Sequence, residues 1–157
     1  MYTKCRAKNI NTGEWAYGSL KWANDDYAPL IVPSTPHKEQ WVDKGTLGMC
    51  INYTDDFGND IYTGDIVRFY TYGDYLVWFC NELQCLEAVR VDHNTYCNKP
   101  SDTTNVTDWD YHNYEDHTTY TEFCVMLQDP YGDFEGKIKV IGNIFDKPEL
   151  ISIRGDN

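Results

Sequence analysis

The sequence has few of the features that mark membrane, secreted or nucleic-acid-coating proteins. No apolar run approaches the roughly 18 residues of a transmembrane helix, and the N-terminus, from Met1 to Arg6, is not followed by the apolar segment of a secretory signal. Basic residues are scarce, since 13 Lys+Arg oppose 25 Asp+Glu for a net charge of −12. Such a chain repels polyanions. We therefore expect a cytoplasmic protein with no membrane contact and no direct nucleic-acid contact.

The sequence also lacks the motifs of the common enzyme mechanisms. It contains no G-x-S-x-G, no Ser-x-x-Lys and no glycine-rich phosphate loop. Carboxylates are abundant, but with 25 of them any pairing that resembles a glycosidase pair is uninformative. We therefore expect no catalytic residues, no enzymatic activity and no cofactor.

Cysteine and histidine spacing gives only a weak metal signal. Cys80-x4-Cys85 and His93-x3-Cys97 place four potential ligands close together, with His112 nearby, but these spacings depart from those of zinc knuckles. In a cytoplasmic chain we interpret the six cysteines as reduced and mostly buried small hydrophobic residues. We expect no metal.

Helical periodicity is absent, whereas short apolar runs bounded by Gly, Asn and Asp recur along the chain. This pattern predicts an all-β fold, a small barrel-like or sandwich domain of short antiparallel strands. We expect one domain over residues 1–157, and a short helical turn at Glu39 to Asp43. The predicted strands are 3–8, 14–20, 29–32, 46–53, 66–70, 75–80, 83–91, 119–127 and 137–144.

The first predicted strand carries basic residues at alternate positions. Lys4, Arg6 and Lys8 therefore project from one face. Two interpretations remain open, a basic contact strip or, as the more common case, an exposed or edge strand protected by charge.

Residues 101–136 differ in composition from the rest of the chain. They contain nine acidic residues and no Lys or Arg. Residues 105–119 read as a loop, and the acidic, Tyr-rich insert is placed at about 101–122. Its carboxylates would steer a basic partner surface and its aromatic side chains would anchor it; a loop that only maintains solubility is the alternative. The candidate partner-binding residues are Asp108, Trp109, Asp110, Tyr111, Tyr114, Glu115 and Asp116.

Two segments carry a resemblance to a known family. Thr46-Leu47-Gly48, continued by DDFGNDIYTGDIV at 55–67, resembles the signature of the YopX family of phage and prophage proteins. The segment VIGNIFDKPEL at 140–150 is similar to the family's closing motif, and the opening Lys4-x-Arg6-Ala7 is similar to its first strand. Residues 51–53 depart from the family pattern, and the acidic stretch has no counterpart in it. The resemblance implies an all-β, barrel-like fold in a phage or prophage protein of a bacterial host, but no activity.

The shared motifs themselves read as a scaffold. Turn and bulge chemistry accounts for their glycines, and a turn role is more common for Asp65 than a functional carboxylate. The predicted scaffold residues are Gly58, Ile61, Tyr62, Gly64, Asp65, Gly142, Asn143 and Pro148.

Three function classes follow from these observations. The first is a non-enzymatic phage accessory protein whose acidic aromatic surface binds and occludes a basic host protein, such as an antiphage-defence or nucleic-acid-handling protein. The second is a replication or regulation accessory factor that acts through the shared scaffold. The third is a small-molecule-binding β-barrel or an unrecognised enzyme. Homo-oligomerisation is open in each class.

Overall fold

A computed structural model describes residues 4–23, 28–33, 38–69, 73–80, 85–91, 95–98, 110–113, 138–151 and 153–156, with Phe123 and Leu127. Within these residues the chain forms thirteen β-strands and two 3₁₀ turns. The all-β prediction is therefore confirmed. Within the same residues, no helix is long and apolar enough to cross a membrane. Contacts group the chain into two compact units, 1–51 and 52–157, and the single domain stays a prediction.

The first unit is built on one antiparallel sheet with the strand order β4-β3-β2-β1-β5. Strand β5 continues past residue 51 into the second unit. The elements are β1 (Lys4–Lys8), β2 (Trp15–Ala23), β3 (Ala28–Val32), β4 (Gln40–Trp41), a 3₁₀ turn (Lys44–Thr46) and β5 (Gly48–Thr54).

Strand β1 lies inside this sheet, between β2 and β5, so the prediction of an edge strand is wrong. Its alternation of basic and small residues is real, but the sheet order cannot be read from that local pattern. Cys5 and Ala7 point to the opposite face from Lys4, Arg6 and Lys8 and are buried. The core of the first unit consists of Cys5, Ala7, Ala16, Ile31 and Val42, with Leu20 and Leu47 packed against it.

The helical turn predicted at residues 39–43 is also misplaced, because Gln40–Trp41 form β4 and the 3₁₀ turn begins at Lys44. Asp43 explains the shift. Its carboxylate accepts the Gly45 N–H at 2.9 Å, and its carbonyl accepts the Thr46 hydroxyl at 2.8 Å. Asp43 is therefore the cap of the turn and not its last residue.

The second unit contains a four-stranded antiparallel sheet in the order β12-β7-β8-β9 and a three-stranded sheet in the order β11-β10-β13. In the three-stranded sheet, β10 pairs antiparallel with β11 and parallel with β13. Strand β6 is hydrogen-bonded to β5. The strands are β6 (Asp60–Tyr62), β7 (Asp65–Phe69), β8 (Gly73–Cys80), β9 (Cys85–Arg90), β10 (Thr95–Asn98), β11 (Asp110–Asn113), β12 (Ile138–Asn143) and β13 (Ile153–Asp156), with a 3₁₀ turn at Pro148–Leu150.

The four-stranded sheet is buried on both faces. On one face Ile66, Leu76 and Trp78 belong to an aliphatic core. On the other, Phe69 packs edge-on against Tyr75 and Phe123, with ring centroids 5.6 Å and 5.4 Å away. Burial on both faces explains why β8 reads as a continuous apolar run from Tyr75 to Cys80 rather than as an alternating pattern.

The structure corrects two predictions for the acidic stretch 101–136. Asp110–Asn113 form strand β11, although residues 105–119 read as a loop. Phe123 and Leu127 are helical, so the strand predicted at 119–127 is wrong at these positions. Residues four apart lie on one face of a helix, and Phe123 is fully buried. An apolar run cannot by itself distinguish a buried helix from a strand.

Two carboxylates in the turn after β5 hold strand β12. The Asp55 carboxylate accepts the backbone N–H groups of Phe57, Asn59 and Val140 at 2.9, 2.8 and 3.1 Å, and the Asn59 side-chain amide at 3.0 Å. The Asp56 carboxylate accepts the N–H of Ile138 at 2.8 Å. The Asp56 N–H donates in turn to the Ile138 carbonyl at 3.1 Å. β12 is thus paired with β7 along one edge and bound by this turn along the other.

The protonation of Asp55 is coupled to these bonds. Burial of the side chain, which is 4% exposed, raises the pKa of the carboxyl group, but the bonds from Asn59, Val140 and Phe57 outweigh it, so the pKa lies below its ordinary value. Because the pKa of Asp55 is lower in the native state than in the unfolded chain, its ionised carboxylate stabilises the fold at pH values above the unfolded pKa. This stabilisation is lost as the pH falls through the native pKa.

We expect Asp55→Asn to lower the free energy of unfolding by about 2–3 kcal/mol at about pH 7, because an amide cannot accept at both of its ends. The difference in free energy of unfolding between the variant and wild type should narrow below about pH 4, since the ordinary pKa of this carboxyl group is 3.8. Urea unfolding at about pH 7 and at a pH below about 4 measures both the loss of stability and its pH dependence. The control is Asp43→Asn, because Asn and Asp cap equally well. An equal gap at both pH values would contradict the role of the ionised carboxylate.

Candidate functional site

The two segments that carry the family resemblance contact each other in the second unit. The Gly64 N–H donates to the Val77 carbonyl at 2.7 Å, and the Gly64 carbonyl accepts the Ile144 N–H at 3.0 Å. Gly64 has a φ of +93°, and a Cβ placed there would lie 2.9 Å from Cε2 of Phe145. Only glycine satisfies the turn and the close contact together.

Asp65, beside this glycine, has the geometry of a turn-stabilising residue. Its carboxylate is 1% exposed and accepts the Tyr62 N–H at 2.8 Å. Ile61 and Tyr62 are buried in the same turn region. Because the carboxylate is enclosed and engaged with the backbone, its position suits a structural role better than contact with a ligand.

The closing segment forms a second hydrogen-bonded turn. The Asn143 side-chain carbonyl accepts the N–H groups of Phe145 and Asp146 at 3.0 and 2.9 Å, and its amide donates to the Asp146 carboxylate at 3.0 Å. Gly142 lies at a bulge in the pairing of β12 with β7, against the Leu150 side chain. Pro148 begins the last 3₁₀ turn. Each predicted scaffold residue in this segment thus occupies a turn, a bulge or a turn start.

The candidate partner-binding residues lie mostly outside the described part of the chain. Asp110 and Tyr111 are the exceptions, since both belong to β11 and pair with β10 opposite Asn98 and Cys97. The acidic stretch also supplies Phe123 to the aromatic cluster. Outside the described residues are Asp108, Trp109, Tyr114, Glu115 and Asp116.

The described residues contain no group of three or more potential metal ligands. In the backbone register Cys80 pairs with Cys85 across the β8–β9 hairpin, and His112 pairs with Tyr96. Burial raises the pKa of the Cys5 thiol, so this thiol is held in its neutral form.

The sheet of the first unit presents cationic and aromatic side chains on one face, which we call the basic–aromatic face. Register places Lys8 opposite Trp15, Arg6 opposite Tyr17, and Lys21 in line with Trp41 across β3. Residues paired in this way share a face. The face consists of Lys4, Arg6, Lys8, Trp15, Tyr17, Lys21 and Trp41.

Cation–aromatic contacts order one end of this face. The Arg6 guanidinium lies 4.6 Å from the centroid of the Trp15 ring, and Lys8 Nζ lies 5.4 Å from it. Arg6 is buried, at 5% exposure, whereas Tyr17 and Trp41 remain 45% and 43% exposed. The sequence indicated the basic half of this face through the alternation on β1. The aromatic half was missed because it depends on the register of β1 with β2 and of β3 with β4.

No family model matches the chain, and no curated protein matches it either. The resemblance to the YopX family therefore stays a prediction from the sequence motifs. Their residues build the contact between β12 and the turns at either end of β6.

We expect Gly64→Ala to destabilise the protein more than Gly58→Ala. Both glycines have positive φ, +93° and +82°, but a Cβ at Gly58 meets nothing within 4 Å. The shared backbone cost is about 1 kcal/mol, and crowding against Phe145 should add about 1–3 kcal/mol at Gly64. Thermal or urea unfolding of the two variants measures the difference. Equal losses of stability in the two variants would show that the Phe145 ring moves aside at no cost in free energy.

Proposed function

We propose that this protein is a YopX-like accessory protein of a phage or prophage, without enzymatic activity, that binds and occludes a basic surface of a host protein. The binding surface is the acidic aromatic stretch 101–136. A host nuclease or another antiphage-defence protein that handles nucleic acid is the partner class that fits, because its working surface is basic.

The observation that carries the proposal is the anchoring of the acidic stretch within the fold. Asp110–Asn113 pair with β10, and Phe123 packs against Phe69 and Tyr75. A loop that only maintains solubility needs neither a strand nor a buried aromatic side chain. Asp110, on the paired backbone of β11, loses less entropy on binding than a residue of a free loop.

The distribution of charge supports the same proposal. Residues 52–157 carry seven basic and twenty acidic residues, a net charge of −13, whereas residues 1–51 carry six basic and five acidic residues, a net charge of +1. Nine of the acidic residues lie in 101–136. The negative field is thus concentrated in one unit, where it would accelerate association with a cationic surface.

A second candidate function is favoured by the basic–aromatic face. An accessory factor in replication or regulation would act through the scaffold of the first unit and not through the acidic stretch. The two candidates differ in which variants abolish binding.

We expect the combined variant Asp108→Asn, Asp110→Asn, Glu115→Gln and Asp116→Asn to lose affinity for the partner by about tenfold or more, because it removes four charges from the binding surface. The partner is first captured from bacterial lysate at low salt, then purified, and its dissociation constant is measured between about 50 and 200 mM salt. The affinity of wild type should fall steeply with salt.

The matched control removes charge elsewhere, through Glu14→Gln, Glu87→Gln and Glu149→Gln, and should bind as wild type does. Equal binding by the four-site variant and wild type would move the interaction to the scaffold and favour the second candidate. Capture of no partner by wild type at low salt would contradict both candidates.

A further inference from the structure

We propose that the basic–aromatic face of the first unit binds single-stranded nucleic acid. This site is separate from the acidic stretch and does not depend on the function proposed for it. The inference rests on the lysines and exposed aromatic side chains that share one sheet face.

The face is organised in four rows across the strands. Successive rows are headed by Lys8, Arg6, Lys4 and Lys21. Residues two apart in a strand are separated by about 7 Å, so the four rows extend over about 20 Å. Lys4, Lys8 and Lys21 thus contribute three cations along a line that a short extended strand of nucleic acid could follow, whereas Arg6 is 5% exposed and closed to phosphate.

The aromatic side chains supply the second element of such a site. Tyr17 on β2 and Trp41 on β4 are 45% and 43% exposed. Trp41 is separated from Lys21 by the buried Leu30. The Trp41 carbonyl accepts the N–H of Ile10, just past the end of β1, at 3.1 Å. Exposed aromatic faces on a sheet stack nucleobases without regard to sequence, and neighbouring cations neutralise the phosphates. Trp15 has a different role, because Arg6 and Lys8 lie over its ring and it orients these cations.

The first unit does not share the acidity of the whole chain. The first unit carries a net charge of +1, and the large negative charge belongs to residues 52–157. Lys21 is bridged to Glu39 at 3.1 Å, with both side chains about half exposed. An exposed pair of this kind is weak, so a phosphate can compete for Lys21.

Single strands are favoured over two other polyanions. In a duplex the bases are stacked on one another and cannot reach Tyr17 and Trp41. An acidic polypeptide would engage the lysines but has no flat rings for the aromatic side chains. Loss of binding on removing one exposed ring is therefore the signature that separates a single strand from both.

The test is fluorescence anisotropy of a labelled oligothymidylate of about 12 nucleotides, with the full chain, at about 50 mM salt. We expect Trp41→Ala and Tyr17→Leu each to weaken binding by about fivefold or more. Lys4→Gln with Lys8→Gln should reduce the slope of log affinity against log salt by about 1.4. Glu39→Gln should strengthen binding about twofold, because it releases Lys21.

Matched controls lie elsewhere in the same unit. Trp22 belongs to the opposite face of β2 and is 36% exposed, with Lys44 Nζ 5.6 Å from its ring centroid. Trp22→Ala and the pair Lys38→Gln with Lys44→Gln should leave the affinity within about twofold of wild type. Circular dichroism and thermal melting establish that each variant is folded before its affinity is compared.

Three results would overturn the inference. They are an absence of saturable binding by wild type at about 50 mM salt, equal affinities of Trp41→Ala and Trp22→Ala, and binding of a duplex as tightly as the single strand. Displacement of the oligonucleotide by polyglutamate at equal charge would assign the face to acidic polypeptides instead.

Discussion

The fold of the second unit depends on one buried carboxylate. Asp55 accepts four hydrogen bonds, three from its own turn and one from Val140, which lies 85 positions along the chain. Asp56 adds a bond to Ile138. Without these acceptors, the N–H groups on the outer edge of β12 would lose their partners, and an exposed sheet edge invites pairing with other chains. The carboxylates thus close an edge that no neighbouring strand covers in the described part of the chain.

The second constraint is the close approach of two turns. Gly64 and Phe145 pack together because a glycine lies where any side chain would collide. Asn143 fixes the backbone that presents Phe145. The two motif segments thus contact each other in the fold, in addition to each resembling a family motif. One segment provides the Phe145 ring, and the other provides the glycine that leaves room for this ring. This mutual dependence gives a physical reason for them to occur together in one sequence.

Much of the strand layout was predictable from the sequence because its cause is local. The apolar run of β8 and the glycines of the turns are visible in the sequence itself. The features that were missed are those set by distant partners. Arg6 is buried because β2 places Trp15 beneath it, and Asp110–Asn113 form a strand because β10 lies alongside. In the candidate site, the lysines of β1 were visible, but the aromatic half of their face was not.

The contact between residues 55 and 140 closes a loop of 85 positions that contains the acidic stretch. The entropy of closing a loop grows only with the logarithm of its length, so lengthening this one by about 20 residues would cost only about 0.2 kcal/mol. In closure entropy alone, added residues between β9 and β12 are therefore nearly neutral, provided that they spare β10, β11 and Phe123, whereas a single added methyl group at Gly64 is not neutral. Evolution can consequently lengthen this loop, and with it the acidic surface, while the turns that hold β12 stay unchanged.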